Sequence, residues 1–445
     1  MIRTALLTTR YLLLVLLMCL SVNLFAQVDS PQLLTLDEAI RLALQGNRSF
    51  QIAQRTLEKA RKRVAEARGA GNLQLQSNTT YTHYDRVATA RFGPQEVRLG
   101  SLESRIVVLT LTQPIDISGV IRSATQSATL GYELSALEYE RARNELILQV
   151  TSAYLNVARA DAFVRVAEEA LKNAQERLRI TRTQLDTGVA SRFDLLRAET
   201  QVAQSEQALL NARNQAEIAR AALNNLLGRD LNTPVQIAMP EALPLMQSVE
   251  LGILIQQAQQ QRPEVRAAER NLELAKVNIR VAQRGALPTL ALNGQWNFNL
   301  TPTVFNPRRQ IFTATAILSF PVFDGGITRA RVAQAREDLD IAEINLQQVK
   351  DGVALEVRTA YLNLRDAQQR LEVARKGLEQ ATEALRLARI RYEAGVSPQL
   401  EISDAELAYT QAQTNLVNAQ FDYLTAYAAL QKAVGTIGER YAGVF

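Results

Sequence analysis

The sequence predicts a mainly helical, internally duplicated chain that also carries four strands of the membrane type. Three observations lead there. Long stretches rich in Ala, Gln, Leu and Arg run without glycine or proline, as long helices require. Motifs of the first half return in the second at constant spacing. Each half also holds two runs in which apolar and polar residues alternate with period two.

The helical runs come first. From Tyr132 to Thr187 there is no Gly or Pro, enough for a rod of roughly 80 Å at the α-helical rise. Val189–Leu227 and Gln399–Val434 are equally unbroken. Leu171, Ala174, Leu178 and Leu185 recur at coiled-coil-like spacing, and the many alanines permit close approach. Rods of this length cannot bury themselves in a globule, so they must pack on one another. Shorter helical segments are expected at Leu36–Arg68 and Val249–Arg284, with Pro263 marking a break or first turn near the start of the second.

The duplication is read from the motifs. "TSAYLNVARA" at Thr151 matches "RTAYLNLRDA" at Arg358, and "LDTGVASRFDLLRAE" matches "YEAGVSPQLEISDAE". Pro114 and Pro321, Tyr154 and Tyr361, and Gly188 and Gly395 all lie 207 positions apart. The expected organisation is a first repeat over 27–247 (a helix, a strand pair in 73–113, a helical hairpin over 119–228, a linker at 229–247). A second repeat over 248–445 has its strand pair in 288–321 and its hairpin over 327–434. Tight reversals at Gly188 and Gly395 join the hairpin helices, the glycines supplying a left-handed turn.

Strands are clearest in "PTLALNGQWNFNL" and "IFTATAILSFP", and weaker in "NLQLQSNTTYTHY" and "SRIVVLTLTQP". A soluble sheet would suit four such strands. The outward set Trp296, Phe298, Phe312 and Phe320 favours a lipid-facing band with aromatic ends. A sheet in lipid must close, because an open edge leaves backbone groups unpaired. Barrels of one chain need at least about eight strands, so at least two copies must share one barrel. The connecting loops, "DRVATARFGPQEVRLGS" and "TPTVFNPRRQ", are expected to be exposed.

Export is legible at the N-terminus. Arg3 and Arg10 precede "YLLLVLLMCLSVNLFA", a basic and then apolar pattern expected to be a signal peptide over 1–26. The run is shorter than the roughly 20 apolar residues of a span. Cys19, the only cysteine, lies inside it and follows Met18 rather than a small residue, which disfavours lipidation. The mature chain therefore has no thiol chemistry. The net charge of +5 is spread along the chain without a basic block, so nucleic acid is not an expected partner. His83, the only histidine, is expected at a strand surface rather than in catalysis, and Glu168/Glu169 on a solvated helix face. With no nucleophile elbow, phosphate loop or metal-spaced cluster, the chain is expected to be a conduit or scaffold without cofactor or metal, not an enzyme.

Behind a signal peptide, two half-repeats of helix, strand pair and long helical hairpin, with the motifs "AYLNVARA"/"AYLNLRDA" and the paired reversals, resemble the TolC family of outer-membrane efflux proteins across essentially the whole mature chain. The resemblance implies a homotrimer in the outer membrane, with a twelve-stranded β-barrel to which each chain gives four strands. A tunnel of twelve helices, a trimeric α-barrel, continues it into the periplasm. It implies a periplasmic adaptor (membrane fusion protein) and an inner-membrane pump or ABC transporter as partners, with outer-membrane lipid around the barrel. The rival reading is a periplasmic coiled-coil adaptor without a pore.

The reversals are the candidate functional site. By resemblance, Tyr392 and Asp194 match the tyrosine and aspartate that tie the inner hairpin to its neighbour, and Glu401 and Asp404 match an acidic pair at the entrance. Gly188, Val189, Gly395 and Val396 would form the tips that meet the adaptor. The family's arginine is replaced by Ser397, so a Tyr392–Asp194 bond would need a charged partner from elsewhere, such as Arg192. Two simpler readings stand beside these. Ser191 and Asp194 have the spacing of a helix cap, and acids in a first helical turn favour the helix dipole.

Overall fold

A computed structural model describes residues 33–87, 89–238, 250–302, 308–394 and 396–439. The expected signal peptide with Cys19, the linker from 239 to 247 and Gly395 lie outside the described residues. In chain order the elements are β1 (Leu33–Leu34), α1 (Leu36–Gly46), α2 (Arg48–Gly69), β2 (Gln74–His83), β3 (Thr89–Phe92), β4 (Gln95–Arg98) and β5 (Glu103–Ile115). Then come α3 (Val120–Asp186), α4 (Arg192–Leu227), β6 (Gln236–Ile237), α5 (Leu251–Gln261) and α6 (Pro263–Arg284). The chain ends with β7 (Thr289–Asn299), β8 (Gln310–Ser319), α7 (Ile327–Glu393) and α8 (Gln399–Val434). The mainly α, duplicated class expected from the sequence is the one found, and its two repeats share one element order. No helix among the described residues is long and apolar enough to cross a membrane.

The long helices exceed the expectation. Both α3 and α7 have 67 residues, about 100 Å each. Helix α3 begins twelve residues before Tyr132 and runs straight through Gly131, because one interior glycine costs only about 1 kcal/mol against Ala. The first segment, expected as one helix, is two. Asn47 breaks it and accepts the Phe50 N–H at 3.0 Å, capping α2. In the second repeat the break falls at Pro263, which opens α6 as its first residue. The loop between β2 and β5 is not featureless: β3 and β4 pair within it as a small hairpin.

The chain divides into two compact units, each drawing on both repeats. One comprises the chain up to Gly46, Gln149–Leu245 and Arg370–Thr425. Its core contains Leu155, Ala158, Ala162 and Phe421, with a second cluster of Leu385, Ala388 and Ile402. Strands β1 and β6 pair in parallel, and the buried Tyr154 hydroxyl donates to the carbonyls of Leu34 and Ala238 at their ends. Burial pushes that phenol up to about 12. Its repeat equivalent, Tyr361, is only half-buried, so the duplicated position has diverged in use.

In the same unit α1 and α4 end against each other through two glycines. Gly228 takes φ of +72° as the left-handed cap of α4, and a Cβ there would run into the Gly46 carbonyl. A Cβ on Gly46 would in turn meet the Leu227 carbonyl oxygen. Backbone cannot yield as a flexible side chain can, so Gly46→Ala is expected to cost about 2 kcal/mol or more. A thermal melt of the purified protein checks this: an unchanged midpoint would mean that the two helix ends are free to separate.

The other unit comprises Asn47–Leu148, Met246–Gln369 and the chain from Ala426. Ala258, Val265, Val353, Val357, Ala360, Ala433 and Val434 form its apolar cluster. A charged group is set beside it. Arg262 is buried and donates to Glu264 at 3.0 Å and to Glu356, and Glu356 also accepts from Lys432 at 2.8 Å. Burial alone would raise both carboxyls. The bonds from Arg262, joined at Glu356 by Lys432, outweigh it and leave both below the usual range.

This unit also holds the antiparallel sheet, in the order β2-β5-β7-β8. The two repeats meet at its centre, where β5 pairs with β7. None of its residues is buried on either face, and its outer strands β2 and β8 have one unpaired edge each.

Candidate functional site

Two regions carry the residues singled out by the sequence. The first is the sheet. Pairing register places Ser77, Leu109, Trp296 and Phe312 in one row across the four strands. The neighbouring rows on that face are Thr79–Val107–Phe298–Gln310 and Leu75–Leu111–Gly294–Ala314. Trp296 and Phe312 touch, with ring centroids 4.7 Å apart. Phe320 follows the end of β8 with the same parity and is exposed. The expected aromatic set therefore shares one face.

The opposite face carries Gln76, Asn78, Thr80, Thr110, Thr112, Asn293, Gln295, Asn297, Thr313 and Thr315, interrupted by Ile106, Val108, Ile311 and Ile317. It is a wall of amides and hydroxyls without a charged side chain along the paired strands. His83 ends β2 opposite Glu103, exposed at the rim.

The second region is the pair of reversals, both in the first unit described. Val189 N–H donates to the Gln184 carbonyl at 2.8 Å, and Val396 N–H donates to the Arg391 carbonyl at 3.0 Å. These are the same bond in the two repeats, closing each helix in the manner of a Schellman turn. Gly188 takes the left-handed conformation at φ +77°. Val189, Phe193, Val396 and Leu400 are exposed beside the turns, an apolar set at the tips.

Asp194 is held locally. It accepts from Ser191 N–H at 3.0 Å and from Ser191 Oγ at 2.6 Å, while its own N–H donates back to Ser191 Oγ. This capping box keeps the carboxyl below its usual range, the Ser191 side chain acting most strongly. Within the chain, Tyr392 and Asp194 are not bonded to each other. Tyr392 donates instead to Gln184 Oε1 at 2.7 Å. Glu401 lies in the first turn of α8 and pairs with Arg391 at 3.2 Å, an exposed pair of little energetic weight. Asp404, one turn on, lines a groove of about 300 Å³ with Arg197, Ser403 and Glu406.

One largely buried contact between the two hairpins was not singled out from the sequence. Arg177 of α3 forms a largely buried ion pair with Glu406 of α8 and donates to Ser403 Oγ at 2.8 Å. Arg177, Glu406, Gln184 and Tyr392 line one groove of about 720 Å³. Polar contacts thus join the first hairpin to the second at this end, with a charged pair at their centre.

Comparison with known proteins extends this picture. The family model for outer membrane efflux proteins matches residues 39–229 and 254–436, once in each repeat. The chain is similar to Protein CyaE of Bordetella pertussis, 27% identical over 76% of this chain and 72% of that one. It is also similar to Outer membrane protein TolC of Vibrio cholerae, 25% identical over 68% and 70%. The solved Campylobacter jejuni CmeC outer membrane channel shares the fold, with a TM-score of 0.76, 19% identity, and coverage of 90% of this chain and 85% of that one. A pore-free adaptor, the rival reading of the long hairpins, is set aside by these matches. With each repeat matched, and with a chain that has both an unburied sheet of one apolar and one polar face and paired helical hairpins, the chain belongs to the outer membrane efflux protein family, the channels that lead from the periplasm through the outer membrane.

Proposed function

We propose that three copies of this chain close their sheets into one twelve-stranded barrel and their hairpins into one helical tunnel, and that the hairpin tips form its periplasmic gate. The sheet carries the reading. Four strands with two free edges are unstable in lipid and too few to close alone, and neither face is covered within the chain. Pairing β8 of one copy with β2 of the next satisfies both edges. The aromatic face then meets lipid and the amide and hydroxyl face lines water.

In this reading the signal peptide 1–26 is removed, and repeats 27–247 and 248–445 each supply half of a subunit. The conduit is passive. Gly188, Val189, Gly395 and Val396, with the exposed Phe193 and Leu400, present an apolar surface for a periplasmic adaptor that connects to an inner-membrane pump or ABC transporter. Tyr392 and Asp194 act at the gate in different ways: Tyr392 ties the hairpins through Gln184, and Asp194 stiffens the tip through its cap. Glu401 and Asp404, repeated three times around the axis, supply six carboxylates that would favour cations at the entrance.

The test combines fractionation with electrophysiology. The mature chain is expected in the outer membrane as a heat-modifiable trimer that forms discrete, cation-preferring channels in planar bilayers. A monomer that forms no channel would overturn the proposal.

A further inference from the structure

We propose that Arg105 and Arg308 form a phosphate-binding pair for a diphosphorylated disaccharide lipid of the outer leaflet, seated at the distal rim of the sheet's apolar face. The inference rests on the reading that this sheet becomes part of a lipid-embedded barrel.

The rim is defined by register. Tyr81 pairs with Arg105, Leu300 N–H donates to the Arg105 carbonyl at 2.9 Å, and Asn299 N–H donates to the Arg309 carbonyl at 2.8 Å. Continuing the ladder one residue sets Arg308 opposite Leu300. Tyr81, Arg105, Leu300 and Arg308 thus make one row, on the same face as Trp296, Phe298 and Phe312. From Leu290 to Leu300 the face spans about 33 Å along the strand. Tilted by about 40°, that is a band of roughly 25 Å, the height of a barrel's apolar belt. The row therefore falls where hydrocarbon gives way to headgroups.

The row faces outward from the cell. At the opposite end the strands lead directly into α3 and α7 or come from α2 and α6, the helical parts that enter the periplasm. Among the described residues, the Tyr81–Arg308 end carries no helix, and its one paired element beyond the sheet is the β3–β4 hairpin.

Its chemistry suits an anion. The Arg105 guanidinium lies 5.6 Å from the centre of the Tyr81 ring, an amphipathic pair whose charged end can reach the headgroup layer. Its acidic neighbour Glu103, at 2.8 Å, forms a pair in which both side chains are exposed. Such pairs are worth about 1 kcal/mol or less, so a lipid phosphate can displace Glu103. The sequence from 300 to 309 contains Arg308 and Arg309 and no acid. The backbones of Arg105 and Arg308 stand two strand spacings apart, about 10 Å, and both long side chains are exposed at the rim, so they can reach two phosphates of one headgroup. Arg309, one residue on, falls on the opposite, water-facing side and serves as an internal control.

The experiment uses the full-length oligomer purified from outer membranes. Retained glycolipid is counted by native mass spectrometry, and rebinding is measured with the purified diphosphorylated lipid and its dephosphorylated form. The double variant Arg105→Gln/Arg308→Gln is expected to bind the diphosphorylated lipid about tenfold more weakly, with Arg309→Gln unchanged. The unaltered protein is expected to prefer the diphosphorylated form by a similar factor. Equal retention by the double variant, an equal loss in Arg309→Gln, or indifference to the phosphates would each overturn the pair. If the unaltered chain forms no membrane oligomer, the barrel reading fails and this inference with it. An intact oligomer with indifferent lipid binding removes this inference alone.

Discussion

The double variant Arg177→Ala/Tyr392→Phe is expected to raise single-channel conductance severalfold and to make cells more susceptible to large antibiotics that the outer membrane normally excludes. The energetics single out Arg177. Its side chain is 10% exposed and its partner Glu406 20%, so truncation leaves a carboxylate largely buried without its cation. Breaking a buried pair in this way costs about 3–5 kcal/mol. The Tyr392–Gln184 bond is neutral and contributes about 1 kcal/mol. Tyr392→Phe alone should therefore loosen the tip only slightly, and most of the effect should appear in Arg177→Ala. Asp194→Ala leaves the Ser191 cap in place, removes its N3 partner in the capping box, and touches no contact between the hairpins of one chain, so it should leave conductance near its original value. Adding Glu406→Ala to Arg177→Ala removes the stranded charge and should restore stability without restoring closure. Planar-bilayer recordings decide the matter: an Arg177→Ala/Tyr392→Phe channel of unchanged conductance would take these contacts out of the gate.

That ranking shows where the sequence was readable. The strands were, because period-two alternation is local and fixes a face once register is known. Trp296 and Phe312 could be assigned together before their rings were seen to touch. The paired reversals were readable for the same reason, through the 207-residue offset that recurs as one backbone bond in each repeat. Asp194 carried two signals at once. Its resemblance to a gate residue pointed to Tyr392, and its spacing from Ser191 pointed to a cap. Within the chain Asp194 holds the nearer partner, since a bond across three residues closes at much lower entropic cost than one between hairpins.

Other features had no local signal. Arg177 is one of fifty basic residues, in a helix without interruptions, and its importance comes from Glu406, 229 positions away. The break at Asn47 is marked only by Gly46 and Asn47 themselves, a stop and a cap that interrupt a helical pattern less firmly than Pro263 does. Gly46 ends α1 on account of its close approach to Gly228, a contact between distant segments. Tyr154 and Tyr361 occupy equivalent positions in the motif, yet only Tyr154 has β1 and β6 beside it to accept its hydroxyl. Repetition located these residues without distinguishing their tasks.

The same face assignment leads to the sharpest contrast between neighbours. Leu111→Arg is expected to prevent assembly in the outer membrane, whereas Thr110→Arg is expected to assemble and to shift the channel's ion preference toward anions. Leu111 lies in the row with Gly294 and Ala314, near the middle of the apolar band. A charge placed there costs about 2–4 kcal/mol in each chain, and a trimer would bear it three times. Thr110 pairs with Gln295 on the amide and hydroxyl face, where an arginine stays in water and adds positive charge to an otherwise uncharged wall. Heat-modifiable trimer in outer-membrane fractions reads the first effect, and reversal potentials in a salt gradient read the second. Equal tolerance of both arginines would mean that neither face meets lipid. The opposite pattern would place the polar wall outside and require a different register for all four strands. Because the two residues are adjacent, their depth along the sheet differs by one position, and the face is the main difference between them.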